Sequence, residues 1–135
     1  MILDAYLLLA DVQDSTVSAA SDSYIDTIAA GDANVGDWFV CRVETACTAG
    51  GAATATFALQ TDSTATFASA TSLISSGAIG KASLTANTIV YKARIPSGVE
   101  RYLRGYITIA TGPLLTGTYD MFIVKDADIN ALLIA

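Results

Sequence analysis

Short runs of alternating or continuous apolar residues recur along the chain, each closed by turn-forming residues. They are Ile2–Leu9, Tyr24–Ala29, Asp37–Thr45, Ala53–Thr61, Thr71–Ser75, Thr88–Ile95, Arg101–Ala110 and Gly117–Lys125. Turn signals at Gly31, Gly36, Gly50-Gly51, Gly77/Gly80 and Gly98 separate them. About eight short strands at spacings of roughly 10–15 residues predict an antiparallel β-sandwich or barrel. Such strands must bury one face against a second layer.

The phase of each run predicts the core. Phe39, Cys41 and Val43 share one side of their strand, and Arg42 and Glu44 the other. Phe57 and Leu59 oppose Thr56 and Gln60. Ile89, Tyr91, Ala93 and Ile95 oppose Lys92 and Arg94, while Leu103, Ile107 and Ile109 oppose Tyr102, Arg104, Tyr106 and Thr108. Leu7–Leu9 and Tyr119–Val124 do not alternate, which fits strands covered on both faces, by the fold itself or by a neighbouring subunit.

The segment Ile95–Asp126 carries the most information. A Pro96-Ser97-Gly98 turn leads into Arg101–Ala110, and the connector TGPLLTG then joins this run to Gly117–Lys125. Gly and Pro supply the backbone angles of a tight return, so the two runs are expected to form a hairpin.

The wording of this segment resembles a family of small capsid cement (decoration) proteins of tailed bacteriophages. The residues that carry the likeness are Pro96, Gly98, Glu100-Arg101-Tyr102-Leu103-Arg104, Tyr106, Thr111-Gly112-Pro113-Leu114, Gly117-Thr118, Asp120, Phe122, Val124 and Asp126. Further matches are Asp4, Asp11 and Gln13 near the start, Ile25-Asp26, and Gly50–Thr54 with Gln60-Thr61-Asp62 as a central hairpin. The tail Ala127–Ala135 departs from the family by running past its usual end. The resemblance implies a jelly-roll-like β-protein bound outside a capsid lattice, with the major capsid protein and further copies of itself (a dimer or trimer) as partners.

Composition agrees with one domain over residues 1–135. Charged residues make up 15% and apolar residues 53% of the chain, a recipe for strands and turns more than for long helices. Mean hydropathy is +0.50, yet Asp4 and Asp11 break the most apolar stretch below the ~18 residues of a membrane helix. No basic residue precedes Arg42, so no secretory leader is expected, and a cytoplasmic origin follows. The apolar surplus is expected to lie in a protein interface. A net charge of −6 argues against nucleic acid as a partner, and on a capsid it favours the outer surface.

Catalytic chemistry finds little material. The chain has no His, which removes the usual general base and metal ligand. Five of its eleven Asp fall in expected turns (Asp14, Asp22, Asp32, Asp37, Asp62), where Asp caps the backbone. Asp126-Ala127-Asp128-Ile129-Asn130 begins like a calcium loop but has Ala131 where Gly is needed and stops before a twelfth position. Gly50-Gly51 lacks the helix and Lys of a phosphate loop. Cys41 and Cys47 would lie about 20 Å apart along a continuous strand, far beyond disulfide reach; only a chain reversal near Thr45–Ala46 could pair them, and both are read as reduced thiols. No cofactor is expected.

Candidate interface residues remain. Arg101, Tyr102, Arg104 and Tyr106 share one strand face, and Arg and Tyr are enriched in interface anchors. A merely solvated face, with Glu100 pairing Arg101 or Lys92, is the alternative. Trp38 is a second candidate, against simple packing. The two ends, residues 1–10 and 127–135, with the apolar stretches Met1–Ala10 and Ile129–Ala135 and Leu7, Leu8, Leu9, Leu132 and Leu133, are candidate subunit-contacting arms, against an edge strand that pairs within its own sheet. The sequence thus points to an all-β jelly roll or related sandwich that binds and does not catalyse. A carbohydrate-binding or tail-associated module is the alternative.

Overall fold

A computed structural model of the chain describes residues 7–28 and 37–124. Nine strands account for most of them: β1 Leu8–Asp14, β2 Ala19–Asp26, β3 Trp38–Thr48, β4 Thr54–Asp62, β5 Thr71–Ser75, β6 Ile79–Gly80, β7 Thr88–Arg94, β8 Tyr102–Ala110 and β9 Thr116–Val124. One short 3-10 turn, Lys81–Ser83, follows β6.

The strands form two antiparallel sheets. The first has the order β1-β9-β3-β7; the second has the order β2-β8-β4-β5, with β6 also paired to β4. The chain changes sheet between β1, β2, β3 and β4, and again between β6, β7, β8 and β9. With β6 only a two-residue bridge, the other eight strands follow the wrapping of a jelly roll. The fold is an all-β sandwich, as the sequence pattern predicts.

Side chains from the facing sheets fill the space between them. β3 contributes Phe39, Cys41 and Val43, and β9 contributes Tyr119, Met121 and Ile123. Phe57 and Leu59 of β4 and Leu103 and Ile107 of β8 meet them from the second sheet. The Phe57 and Tyr119 rings meet edge to face, with centroids 5.7 Å apart. Burying a side chain of this size stabilises by about 1.5–3 kcal/mol, so these positions hold the sheets together.

Several expectations need correction. Arg101–Ala110 and Gly117–Lys125 do not form a hairpin: β8 pairs with β2 and β4, and β9 pairs with β1 and β3. The TGPLLTG connector instead crosses the sandwich, because Leu114 is buried in the core and the Leu115 N–H donates to Thr48 O at 2.7 Å. Gly50-Gly51 likewise joins β3 to β4 across the sheets, not within a hairpin. Ile89 faces away from the main core, because the β3–β7 register shifts beside it and Val90 packs inward instead; a one-residue slip exchanges strand faces. The first strand runs over Leu8–Asp14, later than Ile2–Leu9, and residues 1–6 lie outside the described region.

The unpatterned run in β9 has a clear cause. Tyr119, Met121 and Ile123 enter the main core, while Phe122 and Val124 join Val40 in a second buried cluster on the other side of the sheet. Leu8, Trp38 and Ile89 pack around that cluster.

Candidate functional site

The outer side of the second sheet carries an organised group of arginines and rings. Alternation along β8 sends Leu103, Gly105 and Ile107 inward and Tyr102, Arg104 and Tyr106 outward. Antiparallel pairing places Tyr24 and Asp26 of β2 and Gln60 and Asp62 of β4 beside them.

Tyr102 and Tyr24 meet edge to face at 5.7 Å, and Phe67 joins both, 6.1 Å from Tyr24 and 6.4 Å from Tyr102. The Arg104 guanidinium lies 4.5 Å from the Phe67 ring centre and 5.5 Å from that of Tyr106. That arrangement gains cation–π attraction from both rings. The Arg104 Nε donates to Gln60 Oε1 at 2.8 Å. Arg101 lies 5.0 Å from the Tyr102 ring and grips Asp26 in a fork, Nε to Oδ1 at 2.8 Å and Nη2 to Oδ2 at 2.9 Å. This fork holds the Asp26 carboxyl below its ordinary pKa, helped by the Ile28 N–H, and pushes the Arg101 guanidinium up.

Phe67 reaches the site through a loop built on one carboxylate. Asp62 Oδ2 accepts the Ser69 N–H at 2.8 Å, and Oδ1 accepts the Thr64 N–H at 3.2 Å. These amide donors, Ser69 first, hold the Asp62 carboxyl below the usual range. The Phe67 N–H donates to Thr64 O at 3.2 Å, and Phe67 itself adopts a left-handed backbone with φ of +52°. A bulky residue is strained there. The loop tolerates that strain while bringing the ring over Arg104.

The sequence-derived residues fall in different places. Tyr102, Arg104 and Tyr106 share the outward strand face, whereas Arg101 precedes β8, is out of phase with them, and joins the site by pairing with Asp26, not with Glu100. Trp38 is not among them. It lies on the outer side of the first sheet, with Arg94 5.1 Å from its ring centre, packed beside Val40, Phe122 and Val124. Next to that cluster Arg42 bridges Asp120, at 2.9 Å, and Glu44. The Leu7–Leu9 run is divided: Leu8 joins the outer cluster, whereas Leu7 packs against the main core. Leu9 is corrected from interface to core, because it is 1% exposed between the sheets. Leu132 and Leu133 lie outside the described residues. Cys41 and Cys47 are free and buried, and burial pushes both thiols up.

Phe67, Tyr24 and the Asp26 and Asp62 partnerships were not singled out as site residues from the sequence. A lone aromatic in the small polar stretch Asp62–Ala70 was the available signal for Phe67. The Asp26–Arg101 pair spans 75 positions and leaves no local trace.

The outer side of the second sheet thus carries a ring cluster, one arginine forked onto Asp26 and a second bonded to Gln60, above a buried, amide-bound Asp62. Among the described residues no His, Cys, Asp or Glu cluster is arranged to hold a metal ion, and no helix is long and apolar enough to cross a membrane. Residues 9–123 match the model of the Bbp16 family. The chain belongs to that family, a phage-type family by its name. No curated protein matches the chain.

Proposed function

We propose that this protein is a structural component of a bacteriophage virion, a cement protein that binds the outer capsid surface across neighbouring major capsid subunits. The observation that carries this reading is the preorganised arginine–aromatic face of β8, the strand whose wording resembles the cement family. Membership of the Bbp16 family supports it.

The mechanism is binding linked to stability. An oligomer of the protein bridges a seam that internal DNA pressure tends to open. Each copy buries an interface of about 1,200–2,000 Å², and repetition over the lattice adds avidity. A cement that favours the closed mature shell over the broken or immature one stabilises that state by mass action. Rings locked edge to face and guanidiniums already gripped lose little freedom on docking. The negative chain suits the outside of a DNA-filled particle, and assembly in the host cytoplasm follows.

The test is to produce capsids without the protein and add it back. Capsids lacking it assemble but lose DNA at lower temperature or milder osmotic shock, and added protein cosediments with them and restores resistance. Protein that ignores capsids but binds in a glycan array would favour the carbohydrate-binding alternative.

A further inference from the structure

We infer that Arg104 is the anchor by which this face takes a carboxylate side chain of its protein partner. The inference rests on the docking role proposed above and adds the chemistry of the partner's side.

The two arginines of the face are not equivalent. The charge of Arg101 is already matched, with Nε and Nη2 on both oxygens of Asp26. Arg104 has no carboxylate in ion-pair range among the described residues, and its Nε bond goes to a neutral acceptor, Gln60 Oε1. The other nearby acid, Asp62, is committed to the Ser69 and Thr64 amides of its own loop. A chain of net charge −6 thus presents an unmatched cation in the middle of a ring cluster.

Geometry selects the ligand. With Nε held by Gln60, the donor edge that remains is the Nη1/Nη2 end of the guanidinium. That edge fits the two oxygens of a carboxylate as a fork. The guanidinium already lies against the Phe67 and Tyr106 rings, so little rotamer freedom is lost on pairing. The rings also lower the local polarity, which strengthens the attraction. Tyr24 and Tyr102 complete a rim that excludes water when a partner docks. Polyphosphate recognition would call for several unmatched cations, and Arg101 does not supply a second. An Asp or Glu on a protein surface is the occupant that fits.

The experiment measures wild-type, Arg104→Gln, Arg104→Lys and Lys92→Gln proteins on capsids at several salt concentrations. The Lys92 variant, altered on the other sheet, is the control. Arg104→Gln is expected to weaken binding about tenfold or more and to flatten the salt dependence. Arg104→Lys keeps the charge without the fork and should fall between. In parallel, NMR follows the Arg104 Nε–H and the Tyr106 ring during titration with poly-L-glutamate and with inorganic pyrophosphate. Shifts with poly-L-glutamate that vanish in Arg104→Gln are expected. Folded Arg104→Gln that binds capsids like wild type would overturn the inference and leave the docking role standing. If no form binds capsids, the docking role fails and the titration decides: Arg104-dependent shifts with poly-L-glutamate support the inference, and no shifts, or equal shifts with pyrophosphate, overturn it.

Discussion

Met121 fills the space that a side chain at position 105 would need. A Cβ on Gly105 would approach the Met121 sulfur closer than 3.0 Å, nearer than real Cβ atoms come. Gly105 is on β8 and Met121 on β9, so the missing side chain on one sheet makes room for the thioether that enters from the other. Met121 is fully buried, so its thioether has to repack within the core if position 105 gains a side chain.

Gly105→Ala is therefore expected to destabilise by about 1–3 kcal/mol through overpacking. Thermal or urea unfolding measures it. Adding Met121→Ala should make the double variant less damaging than the sum of the single ones, because the second change removes the clashing atoms.

Leu103→Ala and Phe57→Ala should each cost about 2–5 kcal/mol, since each leaves a cavity between the sheets. Both side chains are almost wholly shielded from water. Unchanged denaturant midpoints in both variants would show that these strands face the other way.

Tyr119 offers the opposite case. Its ring packs on Phe57 in the core, but its buried hydroxyl has no hydrogen-bond partner among the described residues. Burial also pushes its pKa well up. Tyr119→Phe is expected to keep stability within about 1 kcal/mol of wild type, with any change favourable. A loss of more than about 2 kcal/mol would mean that the hydroxyl is bonded in solution.

How much of this was legible beforehand differs from element to element. The inward phases of β3, β4 and β8 were readable, because period-two alternation survives wherever one face is buried and the other half-open. Partner strands were not. β8 and β9 are neighbours in sequence, and a Gly-Pro connector looks alike whether it turns back or crosses. What decides is Leu114 entering the core and Leu115 bonding to Thr48, contacts over more than sixty positions. Ile89 was misplaced because a register shift leaves no mark in the apolar pattern. Within the site, Tyr102, Arg104 and Tyr106 were readable as one strand face, whereas Arg101 is out of phase with them and is held there by Asp26. Phe67 was not, since a loop around Asp62 carries it there.

The Asp62 loop should open in acid. The folded-state pKa of this carboxyl is depressed below the unfolded value of about 3.9. Its contribution is therefore complete above that value and is lost as pH falls through the lower, folded one. The Ser69 and Thr64 amides should stay protected from exchange at neutral pH and lose protection only below about pH 4. Asp62→Asn should loosen the loop at neutral pH and detach the Phe67 ring from Arg104, visible as altered Arg104 Nε–H shifts. Unchanged protection and shifts in that variant would show that the loop does not depend on the carboxylate.

The most direct measurement is a cryo-EM reconstruction of capsids to which the purified protein has been added. The expected map shows added density outside the shell, bridging adjacent major capsid subunits, with the Tyr24, Tyr102, Arg104 and Tyr106 face turned towards them. Density confined to the tail or the inner surface, or bare shells at saturating protein, would contradict the cement function.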